Sequence, residues 1–434
     1  MFKQLPFTLL LALAVNTAIA QDFTLSGEIR PRTEFRHGFK TVPATDADYA
    51  LFTNQRSRLN FDYKSDLVKV FISLQDIRTW GNTKQLVNNA GEYTAIHQAW
   101  AEFKLFGNVS AKLGRQEIIL DNHRILGNVG WAQQARSHDA AMFNYGSDNF
   151  TVKTALAFNQ EGEPNFGTDY SLAGSYKAMQ LIWMNYKAES FNISGLFLNN
   201  GQQNPQIAGD KRTIYSQISG LRAEFSKEKL SANANVYLQS GKLPTANTLY
   251  DFINVSGSLL GGELGYKVSP KFSILAGYEQ MSGNDELNLD PENYKSFTPY
   301  YGTNHKFNGL MDYFYVGNHI NSVGLKDVYF TASGNFSEKF KASATFHVFD
   351  SHADIEDPNS PGNAYDGNIG SELDLVFNYK LNDMVGVAGG YSQYFTNEGT
   401  VALKGGDADE TSNWAWIMIT IKPKFFTITS EKND

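Results

Sequence analysis

The sequence has no cysteine, few prolines and no long apolar run after its amino terminus. The lack of cysteine in 434 residues excludes disulfides, thiolate metal ligands and cysteine nucleophiles. No segment beyond residue 20 holds 18 predominantly apolar residues in a row, which excludes a protein that crosses a membrane with helices. The formal net charge is −8, whereas nucleic-acid binding favours a basic surface. We therefore expect no nucleic-acid partner.

The first 20 residues have the order of a secretory signal. Lys3 precedes an apolar stretch over 9–15, and Ala18-Ile19-Ala20 stands directly before Gln21. The apolar stretch is about half of the roughly 20 residues that a membrane anchor needs. We predict that 1–20 is a cleaved signal peptide and that 21–434 forms a single domain.

Apolar and polar residues alternate along much of the chain. In 56–64, for example, Leu59 and Phe61 alternate with Arg58 and Asp62. A period of two predicts β-strands that present an apolar and a polar face. The apolar faces hold no charged residue, as a lipid environment requires, because a Lys or Arg at the bilayer midplane costs roughly 2–4 kcal/mol. Eight further segments share this alternation: 68–75, 98–105, 109–113, 221–225, 230–238, 328–336, 340–348 and 373–379.

The connections between the predicted strands alternate between short and long. Short ones fall near 65–66, 107–108, 146–148, 188–190, 226–229, 269–270, 337–339 and 382–383. Nine longer polar segments separate them, near 37–52, 79–93, 119–135, 161–177, 199–212, 240–252, 281–320, 350–368 and 396–411. This order predicts an all-β fold, an 18-stranded antiparallel up-and-down transmembrane β-barrel of the outer membrane, with both termini on the periplasmic side. Aromatic residues beside the short turns, such as Tyr266 and Phe272, predict a periplasmic girdle.

Arginine is concentrated in the first third of the chain: nine of the eleven arginines in the sequence lie between positions 30 and 136. Guanidinium groups keep their charge and bind carboxylates bidentately, so a column of them on a lumen wall is a track for anions. A structural alternative stays open, because the interleaved Glu28, Glu34 and Asp62 are able to neutralise the column. The predicted pore-lining residues on the first two strands are Arg30, Arg32, Arg56, Arg58 and Lys64.

No motif for covalent chemistry is found. Ser137-His138-Asp139 has the residue types of a hydrolase triad, but neighbours on a strand point to opposite faces. His347 and His352 are a poor metal pair. We expect no catalytic residue, no metal site and no cofactor. A barrel enzyme with a serine and a histidine brought together on its lipid-facing wall stays open.

Two blocks carry a resemblance to a known family. The first contains Gly114-Arg115-Gln116, Arg124-Ile125-Leu126-Gly127, Trp131 and 136–140, and the second is 305–314. Both resemble the alginate export family of outer-membrane porins, in particular its Bacteroidota-type members. The resemblance implies an 18-stranded barrel whose pore, lined by arginine and lysine, passes an acidic polysaccharide outward. It also implies that Arg115, Arg124 and Arg136 join the pore lining.

These observations favour a passive channel, a porin, in the outer membrane of a Gram-negative cell. Its partners would be outer-membrane lipid and an anionic polysaccharide, an oligosaccharide or a small anion guided by the arginine-rich wall. Two alternatives remain: a barrel enzyme acting on lipid or surface polysaccharide, and a nearly closed structural or binding barrel. Whether the longest loop, 281–320, folds into the pore also stays open.

Overall fold

The structure is a computed structural model that describes residues 21–85, 94–172, 174–205, 207, 209–245, 252–319 and 322–430. The predicted signal peptide, 1–20, lies outside the described residues. Among the helices of these ranges, none has the length and apolarity to cross a membrane. The strands are β1 (Gln21–His37), β2 (Ala50–Ser65), β3 (Val68–Thr79), β4 (Thr94–Phe106), β5 (Val109–Gln116), β6 (His138–Gly146), β7 (Phe150–Phe158), β8 (Ala178–Lys187), β9 (Phe191–Gln202), β10 (Ile214–Lys227), β11 (Leu230–Pro244), β12 (Phe252–Ser269), β13 (Phe272–Met281), β14 (Asn293–Tyr294), β15 (Leu325–Asn335), β16 (Phe340–Asp350), β17 (Asn368–Lys380), β18 (Val385–Phe395), β19 (Ser412–Ile421) and β20 (Lys424–Ser430). The helices are a 3₁₀ turn (Asn304–Lys306), α1 (Val316–His319) and α2 (Glu398–Lys404).

The strands close into a barrel. β1 pairs with β2 along its length, from Gln21↔Ser65 to Arg36↔Ala50. Its other edge pairs with β19 and β20, which form one pass interrupted at Lys422-Pro423. The short β14 lies beside β12 in parallel and is not a pass of the barrel. The 18-stranded closed antiparallel barrel predicted from the alternation is therefore confirmed.

The predicted order of connections is confirmed too. Eight short turns join β2 to β3, β4 to β5 and so on to β17 and β18, and all lie at one end of the barrel. Longer connections lie at the other end. The outer wall is apolar: Leu221 and Val328 are 56% and 54% exposed. Tyr266 and Phe272 are exposed beside the 270–271 turn, which agrees with the predicted girdle.

The buried core lies inside the barrel, where side chains of the strands pack against two long connections. We name 117–137, between β5 and β6, the first insert, and 297–319, between β14 and β15, the second insert. They join through a parallel bridge between Leu126 and Tyr301. The contact requires Gly302, because a Cβ there would lie 2.2 Å from the carbonyl oxygen of Arg124. The longest loop thus folds into the pore.

Candidate pore constriction

The predicted arginine column lies on the inner face of β1 and β2. Arg30 stands opposite Arg56 in the strand register, and Glu28 stands opposite Arg58. We name Arg30, Arg32, Arg56 and Arg58 the basic wall. Strand alternation puts them all toward the lumen, where the first insert packs against them.

Arg30 and Arg32 hold the first insert by its backbone. Arg30 donates from Nη1 to the carbonyl oxygen of Gly130 at 2.8 Å and from Nε to Gln133 Oε1 at 3.0 Å. Arg32 donates to the carbonyl oxygen of Trp131 at 2.6 Å, and its guanidinium lies 3.9 Å from the centre of the Trp131 ring. Arg32 also pairs with Glu34 at 2.8 Å. Both arginines are buried, so these contacts fix the insert to the wall.

The two arginines of β2 differ from each other. Arg56 is buried, pairs with Glu28 at 2.6 Å and donates to the carbonyl oxygen of Gln133 at 3.3 Å. Arg58 is only partly buried and donates to Gln75 Oε1 at 3.0 and 3.1 Å. Among the ion pairs within the described ranges, Arg58 has no carboxylate partner. Arg30 also has no carboxylate partner among these ion pairs, but it is buried against the first insert. Arg58 is therefore the member of the basic wall that combines partial exposure with the lack of a carboxylate partner.

Lys64 and Arg115 lie apart from this group. Lys64 is at the end of β2 beside the short turn to β3, and its side chain is 56% exposed and lies 3.7 Å from Asp62. Arg115 stands opposite Ala99 and has the outward parity of Leu113. It is paired with Asp139 at 2.8 Å on the outer face. The structure therefore corrects the implication that Arg115 joins the pore lining, because strand alternation points its side chain away from the lumen.

Arg124 and Arg136 are both in the first insert and both face the second. Arg124 is 2% exposed, pairs with Glu279 and donates to Asn308 Oδ1 at 3.0 Å. Arg136 donates to the carbonyl oxygen of Gly302 at 3.1 Å and is partly buried. Burial lowers the pKa of the Arg136 guanidinium. Both residues thus lie in the lumen, at the junction of the inserts.

A second charged group lies on β13, β15 and β17. We name Glu279, Asp327, Glu372 and Asp374 the acidic wall, and all four are buried. His347 on β16 lies between them, with Nδ1 2.9 Å from Asp327 Oδ1 and Nε2 3.8 Å from Asp374 Oδ2. Sequence reasoning did not predict this group. Glu372 and Asp374 share one face of a predicted strand, which was the available signal.

The acidic wall holds the second insert. The backbone N–H of Met311 donates to Glu372 Oε1 at 2.8 Å, and that of Leu310 donates to Asp374 Oδ2 at 3.2 Å. The Asn308 amide donates to Glu279 at 2.9 Å and to Asp327 at 3.2 Å. Two carboxylates therefore bind backbone donors, and two bind one side-chain amide.

A cavity of about 310 Å³ lies against the acidic wall. Its lining includes Lys306 of the second insert, and the pKa of that lysine is lowered by burial and by the charge of Arg222. The lining also includes Glu263, Tyr329 and Thr345 on the barrel wall. This space is polar and mixed in charge.

Two contacts fix the outer part of the second insert. Tyr313 donates to the carbonyl oxygen of Thr41 at 2.9 Å, and Lys404 of α2 donates to that of Asn318 at 2.6 Å. Burial lowers the pKa of Lys404 to about 8. Burial and the charge of Lys404 lower the pKa of His319 to about 3. His319 is therefore neutral at pH 7.

The two inserts and the two walls together make a narrow, charged constriction. Within the described part of the chain, no group of three or more His, Asp or Glu residues is arranged to hold a metal ion. The arrangement suits selection of solutes by size and charge.

A family model for alginate export matches residues 21–415.

The chain belongs to the alginate export family.

Solved structures of similar shape agree on the fold. The barrel of this alginate export family member superposes on Acinetobacter baumannii OccAB4 with a TM-score of 0.62 and 11% identity, covering 93% of this chain and 98% of that one. Pseudomonas aeruginosa OccK9 (OpdG) gives 0.60 and 14%, with 93% and 98% covered. Pseudomonas aeruginosa OccK5 (OpdH) gives 0.59 and 10%, with 93% and 99% covered. A search of curated proteins finds no match. The chain is an outer-membrane, porin-like barrel, as predicted.

Proposed function

We propose that this porin-like barrel is a passive channel for anionic polysaccharide, oligosaccharide or small anions, with Arg58 as the residue that attracts them. Arg58 carries the proposal because it faces the lumen, is partly exposed and has an amide rather than a carboxylate as its partner. A carboxylate that reaches this position meets a charge-assisted hydrogen-bond donor. Membership of the alginate export family supports an acidic sugar as the solute.

The other predicted lumen residues have different roles in this proposal. Arg30, Arg32 and Arg56 shape the track by holding the first insert in place. Arg136 supplies a positive charge at the junction of the inserts, and Lys64 supplies one at the periplasmic end of β2. Arg124 fastens the junction through Glu279. Weak sites spread along a wall favour conduction, because each solute must also leave.

Ion selectivity in planar lipid bilayers tests the proposal. Wild-type protein is expected to be anion-selective, and Arg58→Gln to move the reversal potential toward zero. Arg115→Gln is the matched control, because it removes an arginine that faces outward and pairs with Asp139. A cation-selective wild type, or equal shifts in both variants, would contradict the role of Arg58. Uronate oligomers added to one side should block the current more than a neutral oligosaccharide of equal length.

One observation favours a second candidate function, a barrel that is closed at rest. Leu126, Met311 and Trp414 are fully buried inside the lumen. Such packing is typical of a protein interior rather than of a water-filled pore. This candidate predicts negligible conductance until an insert is displaced, so the same bilayer measurement distinguishes the two.

A further inference from the structure

A hydrogen-bonded chain of three residues lies where β4 departs from regular pairing. The β3–β4 register passes from Ser73↔Gln98 to Leu74↔Ile96, so His97 is the extra residue of a bulge. Bulges re-aim side chains and are frequent beside active sites. Here the bulge turns His97 toward the start and the end of the first insert.

The chain runs from Ser137 through His97 to Glu117. Ser137 Oγ lies 3.1 Å from His97 Nδ1, and His97 Nε2 lies 2.8 Å from Glu117 Oε1. Glu117 also accepts a hydrogen bond from Asn128 Nδ2 at 3.0 Å. The three side chains thus have the order of nucleophile, base and orienting acid that defines a serine hydrolase triad by geometry. His138 and Asp139, the sequence neighbours of Ser137, take no part in it.

The acid fixes the tautomer of the base. A carboxylate only accepts hydrogen bonds, so Nε2 of His97 carries the hydrogen and Nδ1 presents its lone pair to Ser137. Burial raises the pKa of Glu117, but hydrogen bonds from His97 and Asn128 outweigh this and hold it below its usual value. The carboxylate is therefore ionised at neutral pH.

The base is the most buried member of the chain of three. The His97 side chain is 3% exposed and that of Glu117 17% exposed, whereas Ser137 is only partly buried. The Ser137 hydroxyl also donates to the carbonyl oxygen of His97 at 2.6 Å. Both acceptors belong to His97, so rotation of the hydroxyl directs its proton to either.

We propose that Ser137, His97 and Glu117 form an acyl-transfer site that hydrolyses short-chain acyl esters, a function beyond that of a passive channel. Ser137 Oγ bonds to the acyl carbon while its proton passes to His97 Nδ1. The alcohol takes that proton as its C–O bond to the acyl group breaks. Water then attacks the acyl-serine, passes a proton through Nδ1 back to Ser137, and releases the acid. The net reaction converts ester and water to acid and alcohol.

The test uses the purified full-length protein in detergent. We measure hydrolysis of 4-nitrophenyl acetate and covalent labelling by a fluorophosphonate, with the modified residue identified by peptide mass. Wild-type protein is expected to be labelled at Ser137, and Ser137→Ala and His97→Gln to lose at least 100-fold of the hydrolysis. Ser194→Ala is the matched control, because Ser194 donates to Asp121 and lies outside the chain of three. A wild type unlabelled at Ser137, or hydrolysis that persists in Ser137→Ala, would overturn the proposal.

A second variant, Ser137→Cys, tests the role of His97 even if Ser137→Ala does not fold. Because the protein has no cysteine, Ser137→Cys introduces a unique thiol. If His97 acts as a base, alkylation of this thiol by iodoacetamide near pH 7 should be at least tenfold faster than in the variant that also carries His97→Gln. Equal alkylation rates in the two folded proteins would contradict the role of His97.

Discussion

The basic and the acidic wall fasten the two inserts by opposite chemistry. Arginines of the basic wall donate to backbone carbonyls of the first insert, whereas carboxylates of the acidic wall accept from backbone N–H groups of the second. Glu28 and Glu34 stand among the arginines and neutralise part of their charge. The acidic wall is compensated by Arg124 of the first insert, which pairs with Glu279, and by His347 beside Asp327. Most charged side chains inside this barrel therefore hold the inserts in place. Charges that make no such contact act on solutes.

The largest expected effect comes from releasing the first insert. The double substitution Arg30→Met, Arg32→Met removes the donors to the carbonyls of Gly130 and Trp131. Hydrogen bonds to charged groups contribute about 1.5–3 kcal/mol each, so the insert should be held much less firmly, although Arg56 still donates to the carbonyl oxygen of Gln133. Single-channel conductance is expected to rise several-fold.

Arg36→Met is the control for this substitution. Arg36 shares the face of β1 with Arg30 and Arg32, but it pairs with Glu34 at 2.7 Å and is 32% exposed. Within the described ranges its guanidinium contacts Glu34, Phe39 and Phe52 rather than the first insert. Equal conductance in Arg36→Met and the double variant would show that the basic wall does not hold the insert.

A smaller effect is expected at the acidic wall. Glu372→Ala removes the acceptor for the N–H of Met311, and an unpaired buried donor costs about 1–3 kcal/mol. The second insert should then open more often, seen as frequent brief openings in single-channel records. Glu372→Gln keeps an oxygen acceptor in the same place, so its records should resemble those of the wild type. If Ala and Gln behave alike, the carboxylate is not what holds Met311.

The sequence predicted the barrel because lipid imposes a period of two on each strand. The same period of two puts Arg58 on the polar face of its strand. The parity of Leu113 also places Arg115 on the outer face, in conflict with the resemblance, and in the structure Arg115 does face outward. For the orientation of Arg115, the alternation along the strand therefore agrees with the structure and the family resemblance does not.

The inserts could not be predicted in this way. They have no repeating pattern, and their positions depend on contacts between residues far apart in the chain, such as Arg124 with Glu279. The same holds for Ser137, which meets His97 across 40 residues. Alternation within a strand could show only that Ser137, His138 and Asp139 do not form a triad with one another.

Acid is expected to loosen the second insert by a moderate amount. The folded pKa of His319 is about 3, whereas a solvated histidine has a pKa of about 6.5. The stability from neutral His319 is therefore complete above pH 6.5 and is lost as pH falls toward 3. At pH 5 the loss is about 2 kcal/mol. Channel openings should become more frequent between pH 7 and pH 5, and less so in His319→Gln, which does not titrate. An equal pH response in both proteins would place the sensitivity elsewhere.

The smallest effect is expected at Lys64, which lies at the short-turn end of β2, the strand that also carries Arg56 and Arg58. Lys64 is 56% exposed and has Asp62 at 3.7 Å, so water and a partner both weaken its field. Screening over about 10 Å at 0.1 M salt confines its influence to nearby ions. Lys64→Gln should therefore lower anion selectivity slightly at 0.01 M salt and have no measurable effect at 1 M. Arg58→Gln should keep most of its effect at 1 M salt, because Arg58 is partly buried. The same salt dependence in both variants would mean that solutes meet Arg58 in open water and not within the constriction.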